Sequence, residues 1–503
     1  MKTDVLIIGG GVTGAAIAYE LCKYNLDIML VEKSSDVCQG TSKANSSMLH
    51  DGYNVDKNTL KGKLVLKADK EVYRKLCDEL HVDLNFVGSI LAGFEEKDME
   101  TVNHQLEMAK ANGIQGMQVL NHDQMIEAEP NINPAVKFGL LNPNTGVMNP
   151  FELTMGMAEN AVLNGVQVLL NTEVLDIKVN KDQKIDCVIT NNGKIFPKVV
   201  INAAGLYSDK VAAMAEEIDF KIRPRRGQYF LYDKSWGDHV KHCIYSAPTP
   251  VSKGMIILPT TEGNILAGSN AEMLDDKTDF STTAEALNHI YDATIHHIFP
   301  QLPRVGDVTT TFAGLRPAAN TEDFIIGHAK TVTGMINVAG IQSPGLSSAP
   351  AVAEMVEGLV RELKDILDLD FSEKPNHIVG RPAPIRLNKL SNEERAELIK
   401  KRPEYGQIIC RCESISRGEI LDAIHRPIPA LTMDAVKRRT RAGMGRCQGG
   451  FCGPRIVVDI LSKELGVSPL DITKRGGASK ILLDKAKELA LKEGGEHRGK
   501  IEL

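Results

Sequence analysis

Four cysteines lie close together near the C-terminus: Cys410 and Cys412 with one residue between them, then, 34 residues on, Cys447 and Cys452 with four residues between them. Four thiolates are a soft ligand set that could hold a 2Fe–2S cluster or a structural zinc ion. Zinc knuckles usually leave about two to four residues inside each pair. The C-x-C pair therefore favours the cluster. Lys437, Arg438, Arg439, Arg441 and Arg446 stand just before the second pair. Cations there would stabilise an anionic cluster and raise its potential, or form a solvated basic face that steers a partner. The other cysteines, Cys22, Cys38, Cys77, Cys187 and Cys243, are scattered and read as small buried hydrophobes.

A second constellation opens the chain. Gly9-x-Gly11-x-x-Gly14 follows the apolar run Asp4–Ile8, and the Ala-rich segment from Ala15 to Tyr24 follows the glycines. Such glycines let a strand turn sharply into a helix and let a pyrophosphate approach backbone N–H groups at the positive end of that helix. Glu32 lies 18 residues after Gly14, at the end of the next apolar strand, where a carboxylate can accept hydrogen bonds from a ribose. The motif alone does not separate NAD from FAD. Two loops do: Gly40–His50 is small and polar and could line a flavin, and Gly340–Leu346 precedes a helix whose N–H groups could face the flavin's electron-rich end.

The elements needed to position these groups are legible in outline. Residues 4–8, the following helix and 27–31 form a βαβ unit. Residues 58–80 and 95–111 read as helices, and Pro150 opens another that stops at Gly165. Strands follow at 166–170, 174–179 and 186–190, and Asn191-Asn192-Gly193 turns back to 194–196. Pro197 is expected to interrupt the pattern before the buried strand 199–202. Residues 220–325 look strand-rich around one helix near 282–298, the pattern of a mixed sheet. Strands resume at 324–327 and 336–340, with the helix 351–363 behind them. Pro375, Pro382 and Pro384 mark 365–390 as a linker. A polar helix, 391–402, leads into the cysteine-bearing segment, where Ser416 and Glu419 make a capping box. Pro454 suits the first turn of the last helix, and a helical tail with a solvated stretch 485–500 is expected beyond.

With 503 residues, 43% hydrophobic and 25% charged, the chain is an ordinary globular protein of two to four domains. A net charge of −6 and the absence of a basic tail argue against nucleic acid as a partner. Nine cysteines are too sparse for a disulfide scaffold. No apolar run approaches the roughly 20 residues that span a bilayer, and the N-terminus lacks a signal-peptide cleavage site. The expectation is a cytoplasmic protein.

The stretches VLIIGGGVTGAAIAYEL, NTGVMNPFELTMGMAENAVLNGVQVLLNTEV, VVINAAG, FAGLRP and VAGIQSPGLSSAPAVAEMV resemble FAD-dependent oxidoreductases of the D-amino-acid-oxidase and glycerol-3-phosphate-dehydrogenase superfamily. YGQIICRCESISRGEILDAI through VKRRTRAGMGRCQGGFC is similar to bacterioferritin-associated-ferredoxin-like 2Fe–2S domains. The resemblance implies an α/β (α+β) fold. A Rossmann-like FAD-binding domain (about 1–70, 140–215 and 325–365) is interleaved with a mixed-sheet substrate domain (about 71–139 and 216–324). A linker and helix, 366–403, lead to a small, mostly helical 2Fe–2S domain with a helical tail, 404–503. FAD is expected on Gly9, Gly11, Thr13, Gly14, Glu32, Thr41, Ser42, Ser47, Val174, Ala204, Gly205, Gly314, Gly340, Ser343, Gly345 and Leu346. The cluster is expected on Cys410, Cys412, Cys447 and Cys452.

Within that family, Arg316 of Gly314-Leu315-Arg316-Pro317 occupies a substrate-binding arginine position, and its guanidinium offers a bidentate fork to an anion. His50 matches a histidine of related enzymes and could be the base that takes a hydroxyl proton or a substrate ligand. Arg225, Gln228 and Tyr229 match a segment lining the substrate side in hydroxy-acid relatives. The fused domain and the GLRP motif point to sn-glycerol 3-phosphate, oxidised by hydride transfer to flavin N5, with electrons leaving through the cluster to an electron-accepting subunit. An oligomer is expected, associated with a membrane only through a partner. Two departures keep a 2-hydroxy or amino acid, such as L-2-hydroxyglutarate, as the alternative. Glycerol-phosphate subunits have arginine where this chain has Ala44, and Gly-Gly-Lys where it has Gly340-Ile341-Gln342. A non-catalytic electron-transfer subunit is the reading from another class.

Overall fold

The computed structural model describes residues 1–246 and 255–485 and divides into two compact units, Met1–Ala383 and a second that begins at Pro384. The expected helix at 485–500 lies, after Lys485, outside the described residues.

The first unit is built on two sheets. Lys2–Ile8 is the centre of the first because Val5–Ile8 are apolar on both faces and at most 5% exposed, as a parallel strand covered on both sides requires. The parallel order is Gln167–Leu169, Ile28–Val31, Lys2–Ile8, Gly193–Asn202 and Met335–Ala339. Ile325–His328 adds an antiparallel edge, and the hairpin Val174–Val179/Ile185–Thr190 joins through the start of Gly193–Asn202. The helices Val12–Leu21, Pro150–Leu163 and Gly345–Glu362 pack together, the first touching both others. This is the Rossmann-like layer, assembled from segments far apart in sequence.

Pro197 does not interrupt the strand: Gly193–Asn202 is continuous. Its first three residues pair with Val188–Thr190 and its last three with Met335–Asn337. Pro197 falls where the strand changes neighbours, so its missing N–H costs that edge no ladder bond. The helix expected over 58–80 is two helices, Leu60–Lys67 and Lys70–Leu80. Asp69 starts the second by accepting from the N–H groups of Glu71 and Val72, so the chain must leave helical geometry before it.

The second sheet is mixed. Its order is Glu272–Met273, Ile222–Tyr232, Ile265–Gly268, Ile256–Pro259, Cys243–Ser246, Ser89–Gly93, Phe138–Asn142 and Gln118–Asn121, with Val308–Ala319 along the other side of Ile222–Tyr232. Among the described residues, only the Cys243–Ser246/Ser89–Gly93 pair of this sheet is parallel. One core under it joins Ile90, Tyr232, Ile257, Ile265 and Phe299.

Residues 366–383, expected within a linker, fold onto the first unit. Phe371 lies against Tyr24 with ring centroids 5.0 Å apart, and Arg381 is buried between Glu152 and Glu159. Aperiodicity hid this segment because it is held by single buried contacts and not by a face. In the second unit, the strands Ile408–Cys410 and Ile415–Ser416 and the helices Arg417–Ile424 and Met433–Thr440 enclose a core of Ile409, Ile420, Ile424, Val436, Ile456 and Ile460. The capping box of Ser416 and Glu419 is formed in both directions.

Candidate functional site

The turn after Lys2–Ile8 is closed by its glycines. Gly9 takes φ +112°, and a Cβ on Gly14 would stand 2.0 Å from the Gly9 carbonyl oxygen. The turn therefore hugs the first helical turn, where Thr13 sits, and leaves the N–H groups there close to any anion. Glu32 Oε2 accepts from the Gly10 N–H at 2.8 Å and Oε1 from the Ser34 N–H at 2.8 Å. The carboxylate thus braces the turn at the position expected to meet a ribose. Replacing it by Ala would disturb both, which spacing alone did not show.

Loop 40–50 crosses the head of this helix. Ser42 Oγ accepts from the Val12 N–H at 2.8 Å. Thr41 Oγ1 donates to the Leu315 carbonyl at 2.6 Å. Ser47 has φ +60° and its carbonyl accepts from the Met148 N–H. Gly314 allows the strand Val308–Ala319 to touch this loop, because a Cβ there would meet the Ala44 carbonyl oxygen at 1.9 Å. Arg316, two residues on, therefore lies on the same face of that strand. Its guanidinium donates to Ser269 Oγ, to the Asn270 carbonyl at 3.4 Å and to the Tyr229 hydroxyl at 3.4 Å. Loop 340–346 closes the other side: Gly340 has φ +68°, the Gly345 N–H returns to the Gln342 carbonyl, and the Leu346 carbonyl accepts from the Tyr73 hydroxyl. Ser343 lies in the middle of this loop. Ala204 and Gly205 sit at the end of Gly193–Asn202, Ala203 and Ala204 touching Gly9, while Val174 belongs to the core that contains Leu6 and Ile8.

His50 is held by partners that sequence reasoning missed. Its backbone N–H donates to Ser347 Oγ at 2.8 Å, and its Nδ1 accepts from the Gly52 N–H at 3.0 Å. Tyr53 stacks on the imidazole with centroids 5.6 Å apart. Burial pushes the His50 pKa below its usual 6.5, and Asp51 opposes the shift. With Nδ1 engaged as acceptor, the neutral ring carries its proton on Nε2 and offers a donor there. The serine pair in GLSSAP was the one available signal for Ser347; the others are tertiary.

In the second unit the thiols meet as two pairs, Cys410 with Cys452 and Cys412 with Cys447. The first pair is buried and the second exposed. The Cys452 thiol lowers the Cys410 pKa by hydrogen bonding, and the N–H groups of Gly443 and Glu413 also point at Cys410. The N–H groups of Phe451 and Gly449 do the same for Cys447 and lower its pKa. Two close thiol pairs met by backbone donors have the chemistry of the anionic ligands that iron takes in a 2Fe–2S cluster. The basic run is divided: Arg446 is exposed, while its middle turns inward. Arg438 and Arg439 are 5% and 6% exposed, Arg439 donating to the Ala435 and Ile428 carbonyls. Arg441 pairs with Glu413 at 2.8 Å. The helical period of Met433–Thr440 turns these arginines inward.

Fold and site define a dinucleotide-binding redox protein with a thiolate metal centre. Residues 4–359 match the FAD dependent oxidoreductase family and residues 408–462 the BFD-like [2Fe-2S] binding domain. The chain is 45% identical over 484 residues to the glycerol 3-phosphate dehydrogenase of Caloramator mitchellensis, covering 96% of this chain and 99% of that one. It is 25% identical to anaerobic glycerol-3-phosphate dehydrogenase subunit A1 of Haloferax volcanii, covering 91% and 82%. Among solved structures, L-alpha-glycerophosphate oxidase of Mycoplasma pneumoniae with FAD bound superposes with a TM-score of 0.69, at 32% identity, over 75% of this chain and 97% of that one. The chain belongs to the FAD dependent oxidoreductase family and carries a BFD-like 2Fe–2S domain; its cofactors are FAD and a 2Fe–2S cluster. No helix among the described residues is long and apolar enough to cross a membrane.

Proposed function

We propose that the protein oxidises sn-glycerol 3-phosphate to dihydroxyacetone phosphate and passes the electrons through its cluster to a partner subunit. The observation that carries this reading is the contact of Gly314 with Ala44, which brings Arg316 to the loop that ends in His50. This supports an arrangement in which an anion anchor and an imidazole donor serve one substrate. The relatives' names give the substrate, and the identity extends through the cluster domain.

Gly9, Gly11, Gly14 and Glu32 would hold the dinucleotide, and loops 40–50 and 340–346 its flavin. Bound FAD would supply the acceptor for the hydride of the alcohol carbon, and the cluster a one-electron carrier beyond it. Arg316 fixes the phosphoryl end through a charge-assisted fork. His50 Nε2–H donates to the substrate oxygen at the reacting carbon, orienting the C–H bond; the hydroxyl proton leaves to solvent water as the hydride departs, and the same Nε2–H supports the carbonyl oxygen that forms. With Nδ1 committed to the Gly52 N–H, the geometry supports this ligand role over that of a base. Cys412 and Cys447 are the exposed ligands and form the edge from which a partner would draw electrons; any membrane attachment would come through that partner.

Anaerobic titration separates the readings. Glycerol 3-phosphate should bleach the flavin, while 2-hydroxyglutarate, lactate and NADH should not. Bleaching only by a 2-hydroxy acid would transfer the assignment to that class. Bleaching by none but a protein donor would leave an electron-transfer subunit. In Cys447→Ser, flavin reduction should persist and transfer to a one-electron acceptor should collapse; transfer that persists would make the domain structural.

A further inference from the structure

Arg225 and Arg316 stand directly opposite each other in the antiparallel pair Ile222–Tyr232/Val308–Ala319. Directly opposed residues leave a sheet on the same face, with Cβ atoms roughly 5 Å apart, and like charges so placed repel. The same face carries Gly227 opposite Gly314 and Tyr229 opposite Phe312. It is therefore the face that touches loop 40–50 and presents Arg316 to the site. Arg316 lies back over Gly227, where a Cβ would be 2.8 Å from Nη2. Arg225 reaches the other way: Nη1 donates to Gln342 Oε1 at 3.2 Å and Nη2 to Glu322 Oε1 at 2.6 Å. Gln342 is 7% exposed and belongs to loop 340–346.

We propose that Arg225 is the second cation of the substrate site, so that Arg225 and Arg316 together select a dianionic phosphoryl group over a carboxylate. This rests on the reading given under Proposed function. A phosphate monoester carries about −1.5 to −2 at pH 7. One guanidinium leaves part of that charge uncompensated; two opposed guanidiniums match it, and the anion removes their mutual repulsion. A 2-hydroxy acid presents a single carboxylate at that end and would leave one arginine in surplus. Gln342 holds the Arg225 guanidinium beside loop 340–346. Glu322, whose side chain is 56% exposed, is the counter-ion that Arg225 leaves when substrate binds.

The test uses the FAD- and cluster-loaded protein, with dissociation constants taken from anaerobic flavin reduction by glycerol 3-phosphate and from inhibition by inorganic phosphate. In Arg225→Gln both constants should rise at least about tenfold at pH 8, the loss of one charge-assisted bond, and the limiting reduction rate should carry the smaller part of the effect. At pH 5.5, below the phosphoryl pKa of about 6, the loss should shrink severalfold, because a monoanion needs one cation. Arg225→Lys should fall between. Unchanged constants, or an equal loss at both pH values, would overturn the proposal. Glu322→Gln supplies an arm independent of Arg225 folding: it should lower both constants, and an unchanged or higher value refutes the exchange of Glu322 for substrate. If wild-type flavin is not reduced by glycerol 3-phosphate, the substrate reading has failed. If wild type is reduced and the variants behave like it, only this inference has.

Discussion

Gly14→Ala is the sharpest test of the cofactor turn. The new Cβ would sit 2.0 Å from the Gly9 carbonyl oxygen and 3.2 Å from its carbon. A carbon tolerates a carbonyl oxygen at about 3.3 Å, so the two must separate by roughly 1.3 Å. Gly9 cannot give way easily. Its N–H donates to the Val31 carbonyl at 2.9 Å, and a Cβ on it would stand 2.5 Å from the Ala203 carbonyl oxygen, so it is wedged between strands. The helix Val12–Leu21 must retreat instead. Overpacking of this kind costs about 1–3 kcal/mol of stability. The retreat also withdraws the N–H groups from the pyrophosphate. Each charge-assisted bond so lost is worth about 1.5–3 kcal/mol, so the FAD dissociation constant should rise roughly 10- to 150-fold. The assay is fluorescence titration of the deflavinated protein, with thermal melting of the same samples. Gly358→Ala is the control, since that helical glycine has nothing within 4 Å of its virtual Cβ. It should keep FAD affinity and gain up to about 1 kcal/mol. A Gly14→Ala protein that binds FAD as tightly as wild type would refute the packing argument.

Because burial holds His50 below its usual 6.5, the ring stays neutral from that pH upward, and flavin reduction should show no His50-dependent limb between pH 6.5 and 9. His50→Gln, which retains a donor, should lose affinity for glycerol 3-phosphate while keeping the shape of the profile; a limb in wild type that His50→Gln abolishes would restore the role of base. Arg381→Met leaves the carboxylates of Glu152 and Glu159, each 2% exposed, without their cation and should cost about 3–5 kcal/mol in urea unfolding.

The local motifs were readable because their physics is local. Gly9, Gly11, Gly14 and Glu32 act within one βαβ unit, and Ser416 caps a helix three residues away, so spacing alone carries the geometry. Cysteine number and spacing pointed to a cluster for the same reason. Pairing of the four thiols across the second unit was not legible, since Cys410 meets Cys452 and Cys412 meets Cys447 only when helices and turns close around them. Charge misled where burial intervened: Arg438 and Arg439 look like a solvated run in one dimension and are core residues in three. The substrate flank was least visible of all. Arg225, Arg316 and Gln342 lie far apart in sequence, and strand register, a property of two distant segments at once, places the two arginines opposite each other. Residue type and short-range spacing determined that this chain can hold a dinucleotide and a thiolate-bound metal centre. Long-range pairing and burial decided which of its charges remain available to bind a substrate.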